Sequence, residues 1–121
     1  MSLPPFELGY PRTELRRNLV AAVLRGEKTA TAGLVEDDEI PEPGDRFALL
    51  DFDDEPVAIV ETTEVRIVRA GDVDLAFAVD EGEGFETVAD WRAAHERFWS
   101  ERVITDDTLV VAERFRVIET L

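Results

Sequence analysis

The chain has 121 residues, 45% of them hydrophobic, and a formal net charge of −15. That length and apolar content describe one globular domain and exclude a disordered chain. The lack of cysteine excludes disulfides and thiolate chemistry, the single histidine excludes a zinc site of several His or Cys ligands, and the acidic balance argues against a tight binder of nucleic acid.

The N-terminal stretch Met1 to Glu7 has no basic region and no apolar run of signal length. No segment approaches the length of a membrane span, so a soluble, cytoplasmic protein is expected, with no membrane partner. The first periodic segment runs from Thr13 to Arg25. Thr13 is a good N-cap, and Glu14 suits the positive end of the helix dipole. Leu15, Leu19, Ala22 and Val23 form one apolar stripe, and Gly26 fits the left-handed position that closes many helices. Thr29 to Ala32 is β-compatible. An exposed acidic loop, Glu36 to Glu39, and a turn, Pro41 to Asp45, follow.

Arg46 to Phe52 and Val57 to Val68 read as strands joined by a hairpin turn over Asp53 to Pro56. Asp72 to Val79 reads as a short apolar helix or turn, and Asp80-Glu81-Gly82-Glu83-Gly84 breaks regular structure. Thr87 with Asp90 is a helix start of the capping-box type. That helix is expected to carry Val88, Trp91, His95 and Phe98 on one face. A last strand covers Thr108 to Ile118. Three long strands and two short ones, with helices between them, predict an α+β fold, a small β-barrel with surrounding helices.

Lys28 is the only lysine among thirteen basic residues. Where a cation alone is needed, this chain uses arginine, which cannot deprotonate. An amine can lose its proton on burial and act as a base. Thr31 is a candidate nucleophile, and a threonine hydroxyl needs a base beside it. In a regular strand Lys28 and Thr31 would face opposite sides, so a bend is needed to join them. Glu81 and Glu83 sit among glycines that allow close approach to a ligand. His95 lies among apolar residues, which favours a structural role. Trp91 and Trp99 are expected in the core, with a ring edge available to wall a base pocket.

The ordered set Gly26-x-Lys28-x-x-Thr31, Pro43-Gly44-Asp45, Glu81-Gly82-Glu83-Gly84 and Trp91-Arg92-x-x-His95-x-x-Phe98 resembles the ASCH domain (activating-signal-cointegrator homology domain) over nearly the whole chain, residues 1–121. The resemblance implies a PUA-like fold. It also implies a cleft that binds RNA or, as in bacterial N4-acetylcytidine amidohydrolases, a small nucleoside-like substrate. By that resemblance Lys28, Thr31 and a glutamate would be catalytic, the glutamate corresponding best to Glu83, with Glu81 as the alternative. Gly26, Glu81, Gly82 and Trp91 would complete the binding surface, and no metal or cofactor would be required. Some family members are reported as ribonucleases. One departure stands out: many members carry arginine where this chain has Gly33.

Overall fold

Thr13 opens the first helix as its hydroxyl accepts from the Leu15 N–H at 3.3 Å. The computed structural model describes residues 3–6, 8 and 13–121. In chain order these form helix α1 (Glu14–Leu24), strands β1 (Ala30–Leu34), β2 (Arg46–Leu50) and β3 (Pro56–Arg69), a 3-10 turn (Ala70–Asp72), helices α2 (Leu75–Asp80) and α3 (Val88–Phe98), and strand β4 (Leu109–Thr120). The four strands make one antiparallel sheet in the order β1-β4-β3-β2, curled into a half-barrel. The expected α+β barrel with surrounding helices is this arrangement.

Two of the strands are long and two are short, which differs from the expected three and two. The strand after Pro41 stops at Leu50 instead of Phe52. The Asp51 carboxylate accepts the N–H groups of Asp53 and Glu55 at 2.8 and 3.0 Å, so the turn begins there. Among the described residues one further strand-like pairing is present, the bridge of Pro5 to Ala48, which lays Pro5 beside β2.

The sheet has a core on each face. On one, Leu19, Val20 and Val23 of α1 pack with Leu49, Val60 and Phe115. On the other, Phe77 and Ala78 of α2 and Trp91 of α3 pack with Ala30, Val110 and Ala112. Alternation along β4 assigns the faces: Val111, Glu113 and Phe115 share the α1 face, and Val110, Ala112 and Arg114 share the other. Helix α3 corrects one expectation. Trp91 and His95 are buried, but Phe98 is 54% exposed. The packed row continues four residues on from His95 at the half-buried Trp99, whose ring meets His95 edge-on at 4.9 Å.

Candidate functional site

The end of α1 delivers Lys28. Gly26 takes a φ of +80°, and the N–H groups of Glu27 and Lys28 then both donate to the Ala22 carbonyl, at 3.0 and 3.1 Å. This tuck turns Lys28 inward, and it is 2% exposed. Its Nζ donates to the carbonyls of Ala30 at 2.8 Å and Glu81 at 3.1 Å. Two carboxylates stand next to it, Glu83 Oε2 at 3.6 Å and Glu81 Oε1 at 3.9 Å.

The loop after α2 supplies both carboxylates. Thr29 N–H donates to the Asp80 carbonyl at 2.7 Å, which ties this loop to the start of β1. Gly82 has a φ of +69°, and a Cβ there would lie 2.6 Å from the Glu27 carbonyl oxygen and from Lys28 N and Cα. Only glycine lets the loop lie this close to the Lys28 backbone. On either side of Gly82 the two glutamates diverge. Glu81 is 1% exposed and accepts the Trp91 indole N–H. Glu83 turns outward, with a side chain 25% exposed.

His95 completes the inner wall. Its ring stacks on Trp91 at 4.2 Å. Its Nδ1 lies 2.9 Å from the Trp91 carbonyl. A carbonyl only accepts, so Nδ1 carries a proton and Nε2 faces Glu81 Oε1, 3.5 Å away. Trp91 is fully buried, so it walls the cluster from behind and presents no open face to a ligand.

The electrostatics follow from this burial. Burial pushes the Lys28 amine below its ordinary value, and the charges of Glu81 and Glu83 oppose that push. Burial likewise pushes the Glu83 carboxyl up; Lys28 opposes it and Glu81 adds to it. Desolvation thus drives both groups toward neutrality, which narrows the gap in proton affinity between them. A narrowed gap favours proton transfer between the two groups.

Thr31 stands apart from this cluster. Among the described residues no hydrogen bond joins it to Lys28 or Glu83. It pairs across the sheet with Glu113, on the α1 face, and lines a cleft of about 830 Å³. Lys28 and Glu83 are not in the lining of that cleft. The two sites still meet at one point. The Ala30 carbonyl that accepts the Lys28 amine belongs to the peptide bond leading into Thr31. The amine is therefore one peptide group from the Thr31 backbone, at the edge strand of the sheet.

A model of the ASCH domain family matches residues 8–119. The chain belongs to the ASCH domain family. Two solved structures are similar over nearly all of it. The ASCH domain from Lactobacillus crispatus JV V101 is 27% identical with a TM-score of 0.84, covering 98% of this chain and 80% of that one. Protein EF3133 from Enterococcus faecalis V583 is 29% identical with a TM-score of 0.85, covering 99% and 79%. Hypothetical protein PH0355, at 17% identity and a TM-score of 0.62, shares the fold over 84% of this chain and 92% of its own. A search of curated proteins returns no match.

Within this ASCH domain the departure at Gly33 has a local cause. A Cβ at Gly33 would meet Asp38 Oδ2 at 2.5 Å, and that oxygen accepts the Leu34 N–H at 3.0 Å. Asp38 folds over the strand where an arginine would start. Gly26 lies on the surface with open space beside its Cα, so its role is to end α1. Glu81, Glu83 and His95 offer ligand atoms within 4.8 Å of one another. The Lys28 amine already provides the counter-charge to those carboxylates, which disfavours a dication among them. Sequence reasoning missed Glu113, which is 8% exposed in the middle of β4. The alternation Val111, Glu113, Phe115 carried the signal, because it places a carboxyl at a core-facing position.

Proposed function

We propose that this protein hydrolyses the acyl–nitrogen bond of a small acylated nucleobase or nucleoside, of the N4-acetylcytidine type. The observation that carries this reading is the Lys28 amine. It is desolvated, held by Glu83, and one peptide group from Thr31. As base, Lys28 takes the Thr31 hydroxyl proton while the Thr31 oxygen bonds to the acyl carbon. The carbon–nitrogen bond breaks as that proton passes to the leaving nitrogen, by way of Lys28 or Glu83. Water then cleaves the acyl ester, releasing the carboxylic acid and restoring Thr31. Strand alternation turns the Thr31 hydroxyl to the face opposite the Lys28 amine, so this step requires the segment from Lys28 to Thr31 to rearrange when substrate binds.

Charge argues against RNA as the ligand. The cleft beside Thr31 is lined by Asp37, Asp38, Glu39, Asp45 and Glu113 against a single Arg46, which itself pairs with Glu61 at 3.1 Å. Phosphates would be repelled there, and a neutral nucleoside would not.

Mass spectrometry of purified protein incubated with a panel of acylated nucleosides tests the reading. Wild type is expected to deacylate at least one of them, at a rate that changes little with salt. Folded Thr31→Ala and Lys28→Ala proteins are expected to lose roughly two or more orders of magnitude. No turnover by wild type, or wild-type turnover by folded Lys28→Ala, would overturn it.

A further inference from the structure

Outside the Lys28 cluster two buried ionisable groups remain among the described residues: Arg16, which pairs with Asp54, and Glu113. Glu113 lines the 830 Å³ cleft, on the same face as Thr31, its cross-strand partner. Its Oε2 accepts from the Thr62 hydroxyl at 2.7 Å. Its Oε1 has no hydrogen-bond partner among the described residues, which leaves that oxygen for an occupant of the cleft. The walls around it include Phe6, Ile40, Phe47 and Val111. A cleft of this volume, in which apolar side chains stand beside polar ones, is suited to a small ligand.

We propose that Glu113 reads the ring of that ligand, donating a hydrogen bond from Oε1 to an unprotonated ring nitrogen of a heteroaromatic base. Thr62 makes the readout one-sided. It occupies Oε2 as an acceptor, so a proton on the carboxyl is left to Oε1. Burial pushes the Glu113 carboxyl up, Asp45 adds to this, and the Thr62 bond opposes it. The other charged groups around the cleft are Asp37, Asp38 and Glu39 after β1, and Arg46, held by Glu61. Among the described residues no cation forms an ion pair with Glu113. A cytosine-type ring, with a lone pair on N3, fits such a donor. A uracil-type ring carries a hydrogen there and does not. The choice of these rings rests on the hydrolase reading above and deepens it by fixing the polarity of the base edge.

The test is calorimetric titration of cytidine and uridine into wild type, Glu113→Gln and Glu113→Ala. Wild type is expected to bind cytidine at least roughly tenfold tighter than uridine, the scale of one good hydrogen bond to a buried acid. Glu113→Gln keeps cytidine affinity within about threefold, since its amide N–H also donates; Glu113→Ala loses about tenfold. Cytidine binding to wild type weakens as pH rises through the raised Glu113 value, whereas the Gln variant responds little. Equal affinity for both nucleosides, no binding of either, or an Ala variant equal to wild type would overturn the proposal. A Gln variant as weak as Ala would also overturn it, because Glu113 would then be an acceptor. The expected binding pattern without hydrolysis of any acylated nucleoside defeats the hydrolase reading and leaves this inference standing. Hydrolysis with kcat/KM unchanged in Glu113→Ala does the reverse.

Discussion

Lys28 Nζ and Glu83 Oε2 stand 3.6 Å apart, and the two side chains differ sharply in exposure, 1% for the lysine and 25% for the glutamate. The amine is cut off from water while its partner still touches it. Glu83 therefore provides a route by which a proton on Lys28 can exchange with solvent or substrate. Glu81, buried on the other side, holds charge near the amine without offering such a route.

Removing the amine should expose the cost of that arrangement. In Lys28→Met the Glu81 and Glu83 carboxylates lose their counter-charge, and breaking a buried pair of this kind costs about 3–5 kcal/mol at neutral pH. The sign with pH follows from Glu83, whose folded value is already raised by burial and rises further without Lys28. A raised carboxyl favours folding below its unfolded value and loses that advantage as pH rises through the folded one. The deficit against wild type should be small near the ordinary carboxylate value of 4.5 and grow toward neutrality. Urea denaturation across that range measures it, and a deficit independent of pH would show that the carboxylates are not what the amine compensates.

Gly82→Ala should be damaging for two reasons. The left-handed backbone alone costs about 1–2 kcal/mol for a residue with a Cβ. The added atom would also press on the Lys28 backbone at 2.6 Å. Gly84→Ala is the control, because its φ of +83° carries the same backbone cost but its Cβ would meet nothing within 4 Å. Thermal melting should rank Gly82→Ala clearly below Gly84→Ala, and equal midpoints would contradict the close approach.

His95→Gln tests whether the histidine is structural. It removes a ring stacked on Trp91 and a donor to the Trp91 carbonyl. A loss of about 1–2 kcal/mol in stability is expected, with turnover partly retained. A fully folded His95→Gln protein with no turnover would make His95 part of the chemistry.

Much of the local structure was legible because its causes are local. Thr13 and Thr87 cap their helices, Gly26 ends α1, and the lone lysine marks its own position. Three features depended on the folded chain. Glu81 and Glu83 look alike in sequence, and the positive φ of Gly82 between them sends one inward and one out. Thr31 carries the spacing of the lysine motif, yet strand alternation puts it on the face of Glu113. Phe98 has a helical spacing from Trp91, but packing follows the row through His95 to Trp99. Residues adjacent in a motif need not share a face, and only the sheet decides that.

The most direct test uses the fact that Lys28 is the only lysine. Protein grown with carbon-13 lysine gives a single side-chain Cε signal, and its shift with pH reports the amine alone. The account predicts a midpoint below the ordinary 10.5, and a still lower one in Glu83→Gln, because the charge that holds the proton on Lys28 is then gone. A midpoint at or above 10.5 in the folded wild type would contradict the central claim that burial prepares Lys28 to act as a base.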